Sequence, residues 1–237
     1  WIRSITTMSS PHNGTTLSDI VTKSVPFLQD FIGLAAVIGN RFYSFDLEQW
    51  GFEKNNEESW SRYLTRIRSH NAWRTKNFSS WDLSLEGARQ LNTLAVANKN
   101  IFYFSFATSN THLDSLSEKH VPNKEMSLIL RTNARAMGKK IEYWADSTST
   151  DSTWFENDGI VNTISMISPT TGLNGSDPIM VYQGNKVFIP GSWYYMGKLT
   201  MDHRTLMGHG KISDEVLNSI LLLFKQHAEK LYALPSF

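Results

Sequence analysis

Residues 154–162 read Trp154-Phe155-Glu156-Asn157-Asp158-Gly159-Ile160-Val161-Asn162. Asn-Asp-Gly has the composition of a turn, because these residues tolerate left-handed backbone. The run Ile160-Val161-Asn162-Thr163-Ile164 that follows is rich in β-branched residues and predicts a strand. The carboxylate of Asp158 is therefore expected on a loop beside a strand. Alone, such a turn is ordinary. Forty-five positions later comes Asp202-His203, after the aromatic run Trp193-Tyr194-Tyr195-Met196-Gly197, again a strand leading into a loop. An imidazole with one nitrogen held by a carboxylate can remove a hydroxyl proton through its other nitrogen and later protonate a leaving alcohol. Asp158 and His203 supply that pair of groups. The nucleophile that would complete them, in a Gly-x-Ser-x-Gly turn, occurs nowhere in the sequence.

One class of serine hydrolases built on an α/β sheet places its triad in the order Ser, Asp or Glu, His. A chain beginning after the serine would keep the other two. Trp1 opens directly into Ile2-Arg3-Ser4-Ile5-Thr6-Thr7-Met8, a β-branched run with no initiator Met and no signal-peptide pattern. The expectation is a fragment that starts at a strand, with its serine upstream.

The 237 residues, 41% of them hydrophobic, suffice for one core, alone or with a subdomain. Lys and Arg number 23 against 22 Asp and Glu, for a net charge of about +1. No stretch concentrates basic residues as a phosphate-tracking surface does, so nucleic acid is not an expected partner. No apolar run approaches the ~20 residues needed to cross a bilayer. The absence of cysteine excludes disulfides and thiol chemistry within the chain. Sequons at Asn13, Asn77 and Asn174 matter only in a host that glycosylates.

Alternating elements predict an α/β sheet protein. After the first strand, Pro11-His12-Asn13-Gly14 forms a turn, and Leu17 to Ala36 has near-helical apolar spacing interrupted by Pro26, which predicts two short helices. Their apolar surface is wider than a stripe facing a core requires. From Phe42 to Trp81 the composition turns aromatic and charged, with Trp50, Trp60, Tyr63, Trp73 and Phe78, as expected of an excursion from the main domain. Trp60, Tyr63, Leu64 and Ile67 share one helical face. Ser84 is placed to cap a helix whose Leu85, Ala88, Leu91 and Leu94 face inward, with Glu86 in its first turn. Ile101 to Ala107 predicts a buried strand. Ser213, with Asp214 and Glu215, starts a final helix carrying Val216, Leu217, Ile220, Leu221, Phe224 and Leu231.

A set of words spread along the chain resembles the C-terminal part of the secreted staphylococcal and thermoalkalophilic Geobacillus lipases. They are Ser4-Ile5-Thr6-Thr7, Pro11-His12-Asn13-Gly14-Thr15-Thr16, Gln49-Trp50-Gly51, Trp81-Asp82-Leu83-Ser84, Gly87-Ala88, the long word from Glu156 to Met166, and Asp202-His203. The long word is the most specific of them. The resemblance implies the C-terminal portion of an α/β-hydrolase fold over residues 1–237, with Asp158 as triad acid and His203 as triad base. It places the serine and the oxyanion-hole amides upstream of Trp1, so the chain alone is expected to be inactive.

The same resemblance implies a structural zinc, for which Asp82 matches one ligand while three companions would precede Trp1. Zinc in structural sites takes four ligands, so Asp82, even with a neighbour such as His70, does not hold it tightly. Family members also bind calcium through an acid two residues and an Asp-Pro seven residues after the catalytic histidine. Here those positions are Thr205, Gly210 and Lys211, which leaves calcium open, with Asp202 and Asp114 as the acids for a rearranged site. Residues 17–39 correspond to the family's lid, with Phe27, Phe31 and Ile32 as candidate lipid contacts, and residues 42–82 to the excursion that helps build the zinc site. The implied protein is an extracellular triacylglycerol lipase acting on lipid esters at an interface. Phospholipase A1 activity of the same chemistry and a non-catalytic lipid-binding relative are the alternatives.

Overall fold

The computed structural model describes residues 2–22, 54–70, 79–170, 177–184, 187–209 and 212–235. The strands are β1 (Ser4–Met8), β2 (Phe102–Ser109), β3 (Thr111–Asp114), β4 (Lys119–Pro122), β5 (Ile179–Val181) and β6 (Trp193–Thr200). Four form a sheet in the order β1-β2-β6-β5, with every pairing parallel. The other two, β3 and β4, make an antiparallel hairpin.

Strand β2 sets the core. It has strands on both edges and is buried at all eight positions, which explains why Phe102-Tyr103-Phe104-Ser105-Phe106-Ala107 reads as a near-continuous apolar run. Phe102 and Phe104 pack with Tyr194 and Leu234, and Leu231 lies against them. Ala107 packs on the other face with Val161 and Met166, beside Tyr195. A register shift against β6 between Ser105 and Ala107 separates the two stretches of pairing.

The helices are α1 (Thr16–Thr22), α2 (Trp60–Ser69), α3 (Ser79–Asp82), α4 (Leu85–Leu94), α5 (Arg131–Met137), α6 (His203–Leu206) and α7 (Asp214–Tyr232). Serine hydroxyls cap three of them. Ser84 accepts the Gly87 amide at 3.0 Å at the start of α4, and Ser213 accepts that of Val216 at 3.3 Å on α7. Ser59 does the same for Arg62 on α2, which buries Tyr63 and Ile67 while Trp60 stays half exposed. No described helix is long and apolar enough to cross a membrane.

Two sequence expectations are corrected. The run Ile160 to Ile164 is not a strand: it bends, and a 3-10 turn follows over Thr163–Met166. Its amides go to a side chain instead of a sheet, since Asp158 Oδ1 accepts the N–H groups of Ile160 and Val161. In α4 the inward face is Leu85, Ala88 and Asn92, whereas Leu91 and Leu94 face solvent. The Asn92 amide donates to His12 O and Asn13 Oδ1, which turns the helix about its axis relative to the apolar pattern. On α7, Ile220 and His227 are buried while Leu217, Leu221 and Phe224 are about half exposed. The candidate lipid contacts Phe27, Phe31 and Ile32, and most of the 17–39 segment, lie outside the described residues.

Two histidines are built into the sheet packing. His12 Nε2 lies 2.9 Å from Thr7 Oγ1 with its ring against Trp193, and His227 Nε2 lies 2.7 Å from Thr6 Oγ1 between Phe104 and Phe106. Burial pushes both down to about 4. Both stay neutral at pH values where the unfolded chain takes up protons. Stability present above the ordinary value of 6.5 is therefore lost as pH falls toward 4, by up to about 1.4 kcal/mol per pH unit for each. Urea unfolding is expected to show a lower midpoint at pH 5 than at pH 7, with the difference reduced in His227→Gln. Equal differences in the two proteins would contradict the assignment for His227.

Candidate active site

The Asn157-Asp158-Gly159 turn follows from its neighbours. Asn157 is buried, and its Oδ1 accepts the Gly159 amide at 2.9 Å while its Nδ2 donates to Phe155 O and Ala134 O. Gly159 has φ +93°, a conformation side chains rarely adopt, and a Cβ there would come within 2.7 Å of Leu130 Cβ. Gly159→Ala is expected to destabilise the fold by about 1–3 kcal/mol, read as a lowered melting temperature. A melting temperature equal to wild type would show that the turn is not so constrained.

Asp158 is fully buried and accepts four hydrogen bonds. Oδ1 takes the amides of Ile160 at 2.9 Å and Val161 at 2.8 Å, and Oδ2 takes the Thr108 hydroxyl at 2.7 Å and His203 Nδ1 at 2.9 Å. Desolvation of a carboxylate is tolerable only with such compensation. The His203 amide also donates to Asp158 O at 3.2 Å, so main chain and side chain fix the same pairing.

His203 opens the single turn α6, whose N-cap is Asp202. Asp202 is buried, with Oδ1 accepting the Thr205 amide and hydroxyl and Oδ2 the Ser127 amide at 2.7 Å. This anchors the residue before His203 to the segment leading into α5. The His203 side chain keeps 28% exposure while Asp158 has none, so the pair is a buried acid beneath a partly accessible base. The hydrogen bond that His203 donates to Asp158 raises the His203 pKa above its ordinary value, more than burial lowers it. The arrangement can hold one imidazole tautomer and accept a proton at Nε2.

The structure thus brings Asp158 and His203 together. It also supplies neighbours that the pattern did not single out: Thr108, Ser9 and Ser127. The signal for Thr108 lay in the polar run Thr108-Ser109-Asn110-Thr111, which ends the buried strand β2 and stays buried into β3. A cavity of about 490 Å³ lies elsewhere, with walls that include Leu85, Arg89, Asn92, Trp144, Trp154 and Ile164 but neither Asp158 nor His203.

The metal expectations fare differently. Asp82 ends α3 on the surface, and among the described residues no three of His, Asp, Glu or Cys gather to hold an ion. The described residues therefore do not by themselves fit a zinc site. Asp202 spends its oxygens on Thr205 and Ser127, and Asp114 accepts the Ser117 amide and hydroxyl, so both acids already serve local turns.

Comparison with known proteins places the chain. A family model described as a lipase-like C-terminal domain matches residues 1–176. Lipase 1 of Staphylococcus aureus is 32% identical over 170 residues, covering 71% of this chain and 24% of that protein. EstA of Clostridium botulinum superposes with a TM-score of 0.69 at 32% identity, over 93% of this chain and 53% of its own. Staphylococcus hyicus lipase, 24% identical, shares the fold with a TM-score of 0.76 over 98% of this chain and 57% of its own. The chain spans about a quarter of the length of the curated relatives it matches and somewhat over half of the solved chains. His203 lies beyond the family-model match but within a chain that these structures cover almost entirely. By the match over residues 1–176 and the identity to staphylococcal Lipase 1, this chain belongs to the family of lipase-like C-terminal domains that includes the staphylococcal lipases.

Proposed function

We propose that this chain is the acid-base half of an α/β-hydrolase that cleaves carboxylic esters of lipids, triacylglycerols first among them. The observation that carries the reading is the buried Asp158 carboxylate at 2.9 Å from Nδ1 of a partly exposed His203. Asp158 holds the Nδ1–H tautomer and stabilises the imidazolium. Nε2 then takes the proton from a serine hydroxyl as it attacks the ester carbonyl, and returns it to the departing alcohol. An acyl-enzyme forms and is hydrolysed by water activated at the same nitrogen. The serine belongs to a Gly-x-Ser-x-Gly turn outside this sequence, and the chain alone is inactive. Residues 17–39 act as a lid, with Phe27, Phe31 and Ile32 meeting the lipid surface, and the intact protein works outside the cell.

The test uses the polypeptide that carries this chain together with such a serine. It is expected to hydrolyse emulsified triacylglycerol, and its kcat/KM is expected to fall on the acid side with an apparent pKa above the ordinary 6.5, because the required base must be neutral and Asp158 favours its protonated form. An acid limb below 6.5 would contradict the pairing as drawn. Faster cleavage of phospholipid than of triacylglycerol would move the substrate to the glycerophospholipids with the chemistry unchanged.

A further inference from the structure

We propose that Thr108 and Ser9 are positioning residues for the Asp158–His203 pair, forming a two-hydroxyl relay that fixes the Asp158 carboxylate. The proposal rests on the catalytic reading of that pair, and its starting point is the one acceptor bond of Asp158 that comes from neither the main chain nor His203.

The direction of the relay follows from counting protons. A threonine hydroxyl has one, and an ionised carboxylate only accepts. Thr108 Oγ1 sits 2.7 Å from Asp158 Oδ2 and 3.4 Å from Met166 Sδ, a weak acceptor, so its proton goes to Asp158. Its lone pairs then receive the hydroxyl of Ser9, 2.7 Å away. Ser9 donates to Thr108, Thr108 to Asp158, and Asp158 accepts from His203. All members of this line except His203 are at most 1% exposed.

The supports are unusually complete. Thr108 N–H points to Met166 Sδ at 3.1 Å, its carbonyl accepts the Thr163 hydroxyl at 2.9 Å, and its backbone is registered against Leu199 of β6. Ser9 follows β1 with φ +53°, the left-handed region that non-glycine residues seldom occupy. Its amide is tied to Phe106 O at 3.0 Å. Strain of this kind persists where surrounding structure holds it, and here it aims the hydroxyl at Thr108.

The relay matters because Oδ2 divides its charge between two donors. Without the Thr108 proton, the charge falls more fully on His203, and the carboxylate loses one of the bonds that set its plane. The other charge acting on His203 is Asp202, which remains bound to Ser127 and Thr205. A buried hydroxyl that merely filled space would alter melting and leave the His203 titration unmoved.

The experiment follows the His203 ring nitrogens by NMR across pH in the polypeptide that carries this chain and its serine, with the resonance assigned through His203→Gln. Thr108→Val is expected to raise the His203 pKa by roughly half a unit to one unit. Thr108→Ser should restore the wild-type value. Ser9→Gly removes the second hydroxyl while relieving the left-handed backbone, and should raise the pKa by a smaller step without lowering the melting temperature. If Thr108→Val does not fold, the Ser9→Gly titration decides. A His203 titration unmoved in the folded variants overturns the relay. Ester hydrolysis is measured beside it: activity indifferent to His203→Gln sinks the catalytic reading, an outcome the titration does not depend on.

Discussion

His203→Ala, made in the polypeptide that also carries the nucleophilic serine, is expected to lower kcat/KM on a short-chain p-nitrophenyl ester by roughly 10³ to 10⁶-fold. Without an imidazole at that point nothing takes the serine proton, and the leaving alkoxide must depart unprotonated. The substitution removes a side chain that is more than a quarter exposed, and Asp158 retains its bonds to Thr108 and to the Ile160 and Val161 amides. The fold is therefore expected to survive, and the loss to fall on turnover. A loss below about tenfold would show that another group is the base.

Asp158→Asn is expected to cost about 10⁴-fold, by a different route. The asparagine oxygen can still accept the Ile160 and Val161 amides, but an NH₂ then faces Thr108 Oγ1 and His203 Nδ1. Two donors meet at Nδ1, so the ring must present its Nδ1 lone pair inward and its N–H outward, the wrong tautomer for a base. The ion pair that raises the His203 pKa also disappears, so the residual activity should have its acid limb displaced to lower pH. An acid limb unchanged from wild type would mean that Asp158 does not set the basicity of His203.

Much of this was legible in the chain because local chemistry and tertiary role agree. Ser84 and Ser213 cap the helices their positions predict, and the aromatic run of β2 is buried throughout because side chains pack on both of its faces. Asp158 and His203 stood out because each sits within a recognisable word. What was not legible depends on side chains that outbid the backbone pattern. Ile160 to Ile164 has strand composition, yet Asp158 takes two of its amides and the chain bends. Leu91 and Leu94 fit a helical stripe, but buried Asn92 reaches the turn at His12 and Asn13 and turns that stripe to solvent. Ser9 and Thr108 lie 99 positions apart and meet only because β1 and β2 are parallel neighbours. A one-letter pattern carries no trace of that pairing.

The pair's central role is tested most directly by covalent capture of the nucleophile it is meant to activate. The polypeptide with its Gly-x-Ser-x-Gly serine is treated with a fluorophosphonate ester and examined by intact mass and peptide mapping. One phosphonyl group per polypeptide is expected, on that serine, forming rapidly in the wild type and at least about a hundredfold more slowly in His203→Ala. Labelling at an equal rate in His203→Ala, or no labelling of a folded wild type, would contradict the assignment of Asp158 and His203 as the acid-base pair of a serine hydrolase.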